Sequence, residues 1–176
     1  NVEKVLEHAD RLGIRNNDIF IIKTSLAQGY AETYFYKEAQ RKIQEIEKDY
    51  IKAAVKDESE ESRKYKALFY LVNGKIQQCL YWDRVTATES FKNAVELSEY
   101  VNDEQLRHFA LAKLAQVYIY AGDIKNSKKY FVQLEEEQKE FLKQFKDKYT
   151  YHLVKGRHFL EDGDYSHAIA EFAKVE

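Results

Sequence analysis

The 176-residue chain has no proline, no methionine, six glycines, one tryptophan and one cysteine, Cys79. At average usage about 21 glycines and prolines together would be expected. Strand-and-turn architectures need far more of both than this chain holds, so all-β folds are excluded. One cysteine cannot build an internal disulfide framework and fits a reducing compartment, which makes a cytoplasmic location the expected one. No apolar run approaches the roughly 18 residues that a membrane span needs. The opening Asn1-Val2-Glu3-Lys4-Val5 is charged and helix-patterned, unlike a secretory leader. The absence of Met even at the first position suggests a piece of a longer protein. There is no excess of one charge either: 28 Lys and Arg stand against 30 Asp and Glu, a net −2. A nucleic-acid surface usually carries a basic stripe, so no nucleic-acid contact is expected from this segment.

What is present is helix after helix. Hydrophobic content is 44% and charged content 33%, against a usual charged share of about 25%. Such a chain has a core and a heavily solvated exterior. A first helix carries Val2, Val5, Leu6, Ala9 and Leu12 on one face and closes at Gly13. Asn16-Asn17-Asp18 is read as the next N-cap. Further helices are expected at about 19–32, 36–55, 63–80, 85–100, 103–120, 124 into the 140s, 148–160 and 165 to the end. The stretch 56–62, Lys-Asp-Glu-Ser-Glu-Glu-Ser, reads as the most loop-like. Short turns at 81–83, 121–123 and 162–164 require antiparallel neighbours.

A long repeat underlies these helices. Ala39-x3-Ile43-x2-Ile46, Ala87-x3-Phe91-x2-Ala94, Ser127-x3-Phe131-x2-Leu134 and Ala168-x3-Phe172-x2-Val175 share one pattern, with Val2-x3-Leu6-x2-Ala9 as a weaker copy. Their first residues are separated by 37, 48, 40 and 41 positions. A small residue, Ala27, Gly74, Ala115 or Gly156, precedes each of the four full copies by 12 or 13 positions. A small residue midway along one helix lets its partner approach, and the large residue of the partner fills the gap. Leu71-Val72-Asn73-Gly74-Lys75 is echoed by Leu153-Val154-Lys155-Gly156-Arg157, 82 positions on.

On these residues the chain resembles a tetratricopeptide-repeat (TPR) array. Gly156…Phe159…Gly163-Asp164-Tyr165…Ala168…Phe172 matches the repeat best, followed by Leu114-Ala115-x2-Tyr118…Gly122-Asp123…Phe131. The expected fold class is all-α, a right-handed superhelix of antiparallel helix pairs forming one domain. Its repeats would lie near 1–14 (partial), 17–56, 62–101, 103–140 and 147–176. The signature Trp is missing from every first helix, no repeat ends in Pro, and Asn73 and Lys155 stand where Leu is expected. Longer, Pro-free repeats are more similar to the peptide-sensing TPR regulators of Gram-positive bacteria and their phages, the Rap, PlcR, NprR and AimR group. That resemblance implies a cytoplasmic transcriptional regulator, of the quorum-sensing kind, that binds a short signalling peptide in its concave groove. The alternative is a TPR scaffold for protein–protein assembly. A homodimer is left open.

In such an array the first helix of each pair lines the concave face. The residue after each small position, Gln28, Lys75, Gln116 and Arg157, is then a candidate groove contact, able to donate hydrogen bonds to a peptide. Gln78, Cys79, Tyr120 and Glu161 would extend that wall by a turn. The same four positions are also compatible with ordinary solvated sites, because a highly charged chain produces polar ladders by chance. The 14 Tyr and 10 Phe sit mostly at core spacing; Tyr34-Phe35-Tyr36 and Tyr81-Trp82 fall at turns, where Trp82 could meet a peptide. The five histidines, His8, His108, His152, His158 and His167, are scattered and lack metal-ligand spacing. There is no Gly-rich phosphate loop and no nucleophile elbow, and Cys79 has no sequence neighbour to activate it. The run 135–140 reads as a solvated face. No catalysis, cofactor or metal is expected.

Overall fold

The structure is a computed structural model that describes residues 16–48, 59–81, 83–136 and 148–175. Its helices are α1 (Asn16–Glu32), α2 (Tyr36–Ile46), α3 (Glu60–Ile76), α4 (Arg84–Tyr100), α5 (Glu104–Tyr120), α6 (Ile124–Glu136), α7 (Lys148–Glu161) and α8 (Tyr165–Phe172). No strand occurs among the described residues. The first helix read in the sequence, the continuation of α2 toward Val55, and Trp82 lie outside them.

Sequence chemistry sets the helix starts. Ser59, Asp83, Asp103, Asp123 and Asp164 each accept a hydrogen bond from the backbone N–H three residues on, at 3.0–3.2 Å. Each satisfies one of the N–H groups that a helix start leaves without an intrahelical partner. Two sequence readings are corrected here. Glu60, Glu61 and Ser62 are not loop but the first turn of α3, because Ser59 caps it and the two acids suit its positive end. Asn16, Asn17 and Asp18 are likewise already helical, with Asp18 as the first-turn acid of α1.

The turns after α1, α4, α5 and α7 are alike: each has three residues, and the middle one has positive φ. Gly122 (75°) and Gly163 (79°) meet that demand without strain, and Asn102 (51°) tolerates it. Tyr34, at 66°, is the exception. Helix α3 instead runs into a π-helical turn, Gln77–Tyr81, before Asp83 caps α4.

Each helix packs on its successor where a short turn joins them, and α1, α3, α5 and α7 also touch in series. Three apolar clusters fill the layers. One joins Phe20, Ala27 and Ala31 of α1 to Ala39, Ile43 and Ile46 of α2 and Phe69, Val72 and Ile76 of α3. A second sets Ala87 and Phe91 of α4 against Leu114 and Val117 of α5. The third joins Leu111, Ala112, Ala115 and Ile119 of α5 to Phe131 and Leu134 of α6 and Tyr151 and Val154 of α7. Alternate helices therefore form a continuous wall, and a groove runs along it.

Candidate ligand groove

The groove has a volume of about 780 Å³ and lies across α1, α3 and α5. On α3 its lining follows one helical stripe, Lys64, Leu68, Leu71 and Lys75, with Val72 beside it. Spacings of four, three and four keep these side chains on a single face. Helix α5 contributes Gln105, Leu106, Phe109 and Lys113, its cap contributes Asp103, and α1 contributes Gln28 and Glu32. The middle is thus apolar and the margins polar, with three lysines against two carboxylates.

Two ion pairs cross between neighbouring helices of the wall. Lys64 Nζ lies 3.0 Å from Asp103 Oδ2, and Lys75 Nζ lies 3.9 Å from Glu32 Oε1. Gln28 Nε2 donates to the same Glu32 Oε1 at 2.9 Å. Lys64 and Lys75 are eleven residues apart on α3, about 16 Å along the axis. Farther along the wall Lys113 Nζ donates to the buried Thr150 Oγ1 on α7 at 2.9 Å.

Of the residues singled out in the sequence, Gln28 and Lys75 line this groove together. Gln116 and Arg157 hold the same repeat position on α5 and α7 but do not line it. Gln116 is buried, with 7% exposed, whereas Arg157 is exposed to solvent. Of the four expected rungs, Gln28 and Lys75 share this groove, and Gln116 and Arg157 do not. Gln78 is half-buried in the π turn, Tyr120 is partly exposed at the end of α5, and Cys79 and Glu161 are exposed; none lines the groove. Of the lining residues that were missed, Lys64, Leu68 and Leu71 could have been found by extending the Lys75 stripe back along α3.

The two departures from the repeat carry polar links instead of apolar packing. Asn73 Nδ2 donates to Ser90 Oγ of α4 at 3.1 Å, and its Oδ1 accepts from Gln77 Nε2 at 3.3 Å. Lys155 Nζ meets Glu135 Oε1 at 2.9 Å and Tyr151 Oη at 3.1 Å, while Tyr151 donates to Glu135 at 2.8 Å. Burial works against the charge on Lys155, but these two partners outweigh it and hold the ammonium above its usual pKa. Glu135 therefore belongs to an interhelical triad, not to a purely solvated run; residues 137–140 of that run lie outside the described residues.

His108, His152 and His158 are also structural in placement. Ser127, fully buried, donates to the Ala115 carbonyl at 2.9 Å, and its Oγ lies 2.9 Å from His158 Nε2. The single hydroxyl proton points to the carbonyl, so the imidazole Nε2–H donates to Oγ. A serine so oriented is not an activated nucleophile. Burial, reinforced by Lys128, pushes the His158 pKa down to about 4, and burial with Arg107 does the same to His108. His152 Nδ1 lies 2.7 Å from Glu171 Oε2. Among the described residues no three His, Cys, Asp or Glu side chains are grouped to hold a metal ion, and no helix is long and apolar enough to cross a membrane.

Comparison with protein families, with curated proteins and with solved structures returns no match for this chain.

Proposed function

We propose that this chain is a TPR-type binding module that grips a short peptide in the groove across α1, α3 and α5. The observation that carries the reading is the groove itself: its wall is built from alternate helices, its middle is apolar, and polar side chains that can meet a peptide backbone stand at both margins. Glycine–phenylalanine contacts recurring at Gly74 and Gly156 support the repeat assignment. An extended strand rises about 3.3 Å per residue, so about five residues span the 16 Å between Lys64 and Lys75. The lysine excess favours acidic peptides. In the resembling regulators such a module is cytoplasmic and reports its ligand by a population shift in an attached effector; the same role is proposed here. The test is fluorescence polarisation with a fluorescein-labelled, amidated octapeptide pool carrying one Asp or Glu among apolar residues. Saturable binding that weakens with salt is expected; no binding to the pool overturns the reading.

A scaffold role is the second reading. It is favoured by apolar side chains outside the groove, Tyr165 and Ile169 on α8 and Phe35 at the α1–α2 turn, which are more than half exposed. Binding of a folded partner with no measurable affinity for the peptide pool distinguishes it.

A further inference from the structure

The two ion pairs across the wall are not equivalent. Asp103 is fixed: its Oδ1 caps α5 at Leu106 N, 3.1 Å away, while its Oδ2 holds Lys64 at 3.0 Å, and its side chain is largely covered. Glu32 is held differently. It stands in the last turn of α1, half exposed, 3.9 Å from Lys75 and tied by one hydrogen bond from Gln28 within its own helix. The two groove residues able to receive a ligand carboxylate at this end, Lys75 and Gln28, are thus both already turned toward a carboxylate that belongs to the protein.

We propose that Glu32 is an internal competitor, occupying with its own carboxylate the place on Lys75 and Gln28 that an acidic peptide side chain takes on binding. The proposal rests on the peptide-groove reading above. An acidic ligand gains the lysine only by displacing Glu32, a half-exposed side chain at a helix end with one local tether, whereas the capped Asp103 stays in place. Glu32 then sets the affinity threshold at one end of the groove, and the acid of a bound peptide lies toward the C-terminal ends of α1 and α3. The competition also filters by charge: a neutral peptide leaves the Glu32–Lys75 contact intact, so its binding is indifferent to Glu32.

The substitution Glu32→Gln tests this, because glutamine keeps the shape and still accepts from Gln28. Two amidated octapeptide pools serve as probes in fluorescence polarisation: the acidic pool above, and a matched pool with Asn and Gln in place of Asp and Glu. The expected result is a gain of about two- to fivefold for the acidic pool, the scale of one partly screened ion pair, with the neutral pool unchanged. In a Lys75→Gln background the same Glu32→Gln change is expected to give no gain. Circular dichroism melts check that each variant folds as the parent does. Acidic peptides that bind with affinity unaltered by Glu32→Gln, or a gain shared equally by both pools, overturn the competitor role and leave the groove reading standing. Absence of saturable binding in every variant overturns both.

Discussion

A β-carbon placed on Gly74 would stand 2.6 Å from Cε1 of Phe91. The ring of Phe91 is fully buried, so a side chain at position 74 would force the ring or the two helices α3 and α4 to shift. The equivalent contact, Gly156 against Phe172 at 2.5 Å, differs in one respect: Phe172 is only half-buried, near the rim of α8.

Helix propensity alone favours Gly→Ala in a helix interior by about 1 kcal/mol. Overpacking a buried contact costs about 1–3 kcal/mol. Gly74→Ala is therefore expected to be destabilising by up to about 2 kcal/mol. Gly156→Ala is expected to be near neutral because its ring can move, while Gly156→Leu exceeds what the rim can absorb and loses about 1–3 kcal/mol. Urea unfolding of the three variants checks the order; a Gly74→Ala variant more stable than the parent contradicts the close contact.

That contact was legible in the sequence because size and helical spacing both report it. The helix boundaries on either side of the three-residue turns were legible for the same reason. The π turn at Gln77–Tyr81 was not, since neither Gly nor Pro marks it. Its trace is numerical: Gly74 precedes Ala87 by 13 positions where the other pairs show 12, and a π turn accommodates an added residue. Ser127 and His158 are 31 residues apart, so no local pattern could join them. Burial of Gln116 is a tertiary fact that position in the repeat does not encode.

Stability should fall in mild acid. His108 and His158 have folded-state pKa values of about 4, below the ordinary 6.5. Between those two values the unfolded chain binds protons that the folded chain refuses, so stability rises with pH through this window and is fully present above about 6.5. Lowering the pH from 7 to 5 is expected to remove about 1–2 kcal/mol per buried histidine. Urea midpoints at the two pH values check this, and a flat profile contradicts it. Further acidification titrates Asp83, Asp123 and Asp164, whose carboxyls are held below the ordinary range by the hydrogen bonds they accept at the helix starts.

Removing the Ser127 hydroxyl leaves the Ala115 carbonyl and the His158 Nε2–H without that partner inside the packing of α5, α6 and α7. Ser127→Ala is expected to cost about 1–3 kcal/mol, the desolvation penalty of an unsatisfied buried group. A thermal melt indistinguishable from the parent's would show that the hydroxyl is dispensable.

Tyr34 holds a left-handed backbone (φ 66°) that disfavours a bulky residue by about 1–2 kcal/mol. The residue is 79% exposed, and its ring meets Tyr36 edge to face at 6.0 Å. Tyr34→Gly relieves the strain, partly offset by the greater freedom of glycine in the unfolded chain. The expected gain is about 0.5–1 kcal/mol. A loss of stability would mean that the Tyr34 ring holds the α1–α2 turn together more strongly than its exposure suggests.

Lys75 and Arg157 occupy the same position of the echoed segment, yet only Lys75 lines the groove. If ligand contact follows the groove and not the repeat, the two cations must behave differently toward one acidic octapeptide pool. Lys75→Ala removes the cation at one margin and is expected to weaken binding about two- to fivefold at low salt, with the difference shrinking as salt screens the pair. Arg157→Ala, on an exposed face of α7, is expected to leave the affinity within about 1.5-fold of the parent, the size of the weakest exposed pairs. Both substitutions are at non-core sites, so melts should match the parent and the comparison should read binding alone. Equal losses at the two positions would place the ligand along the whole wall from α1 to α7, and a loss at Arg157 alone would move the site off the α1–α3–α5 groove.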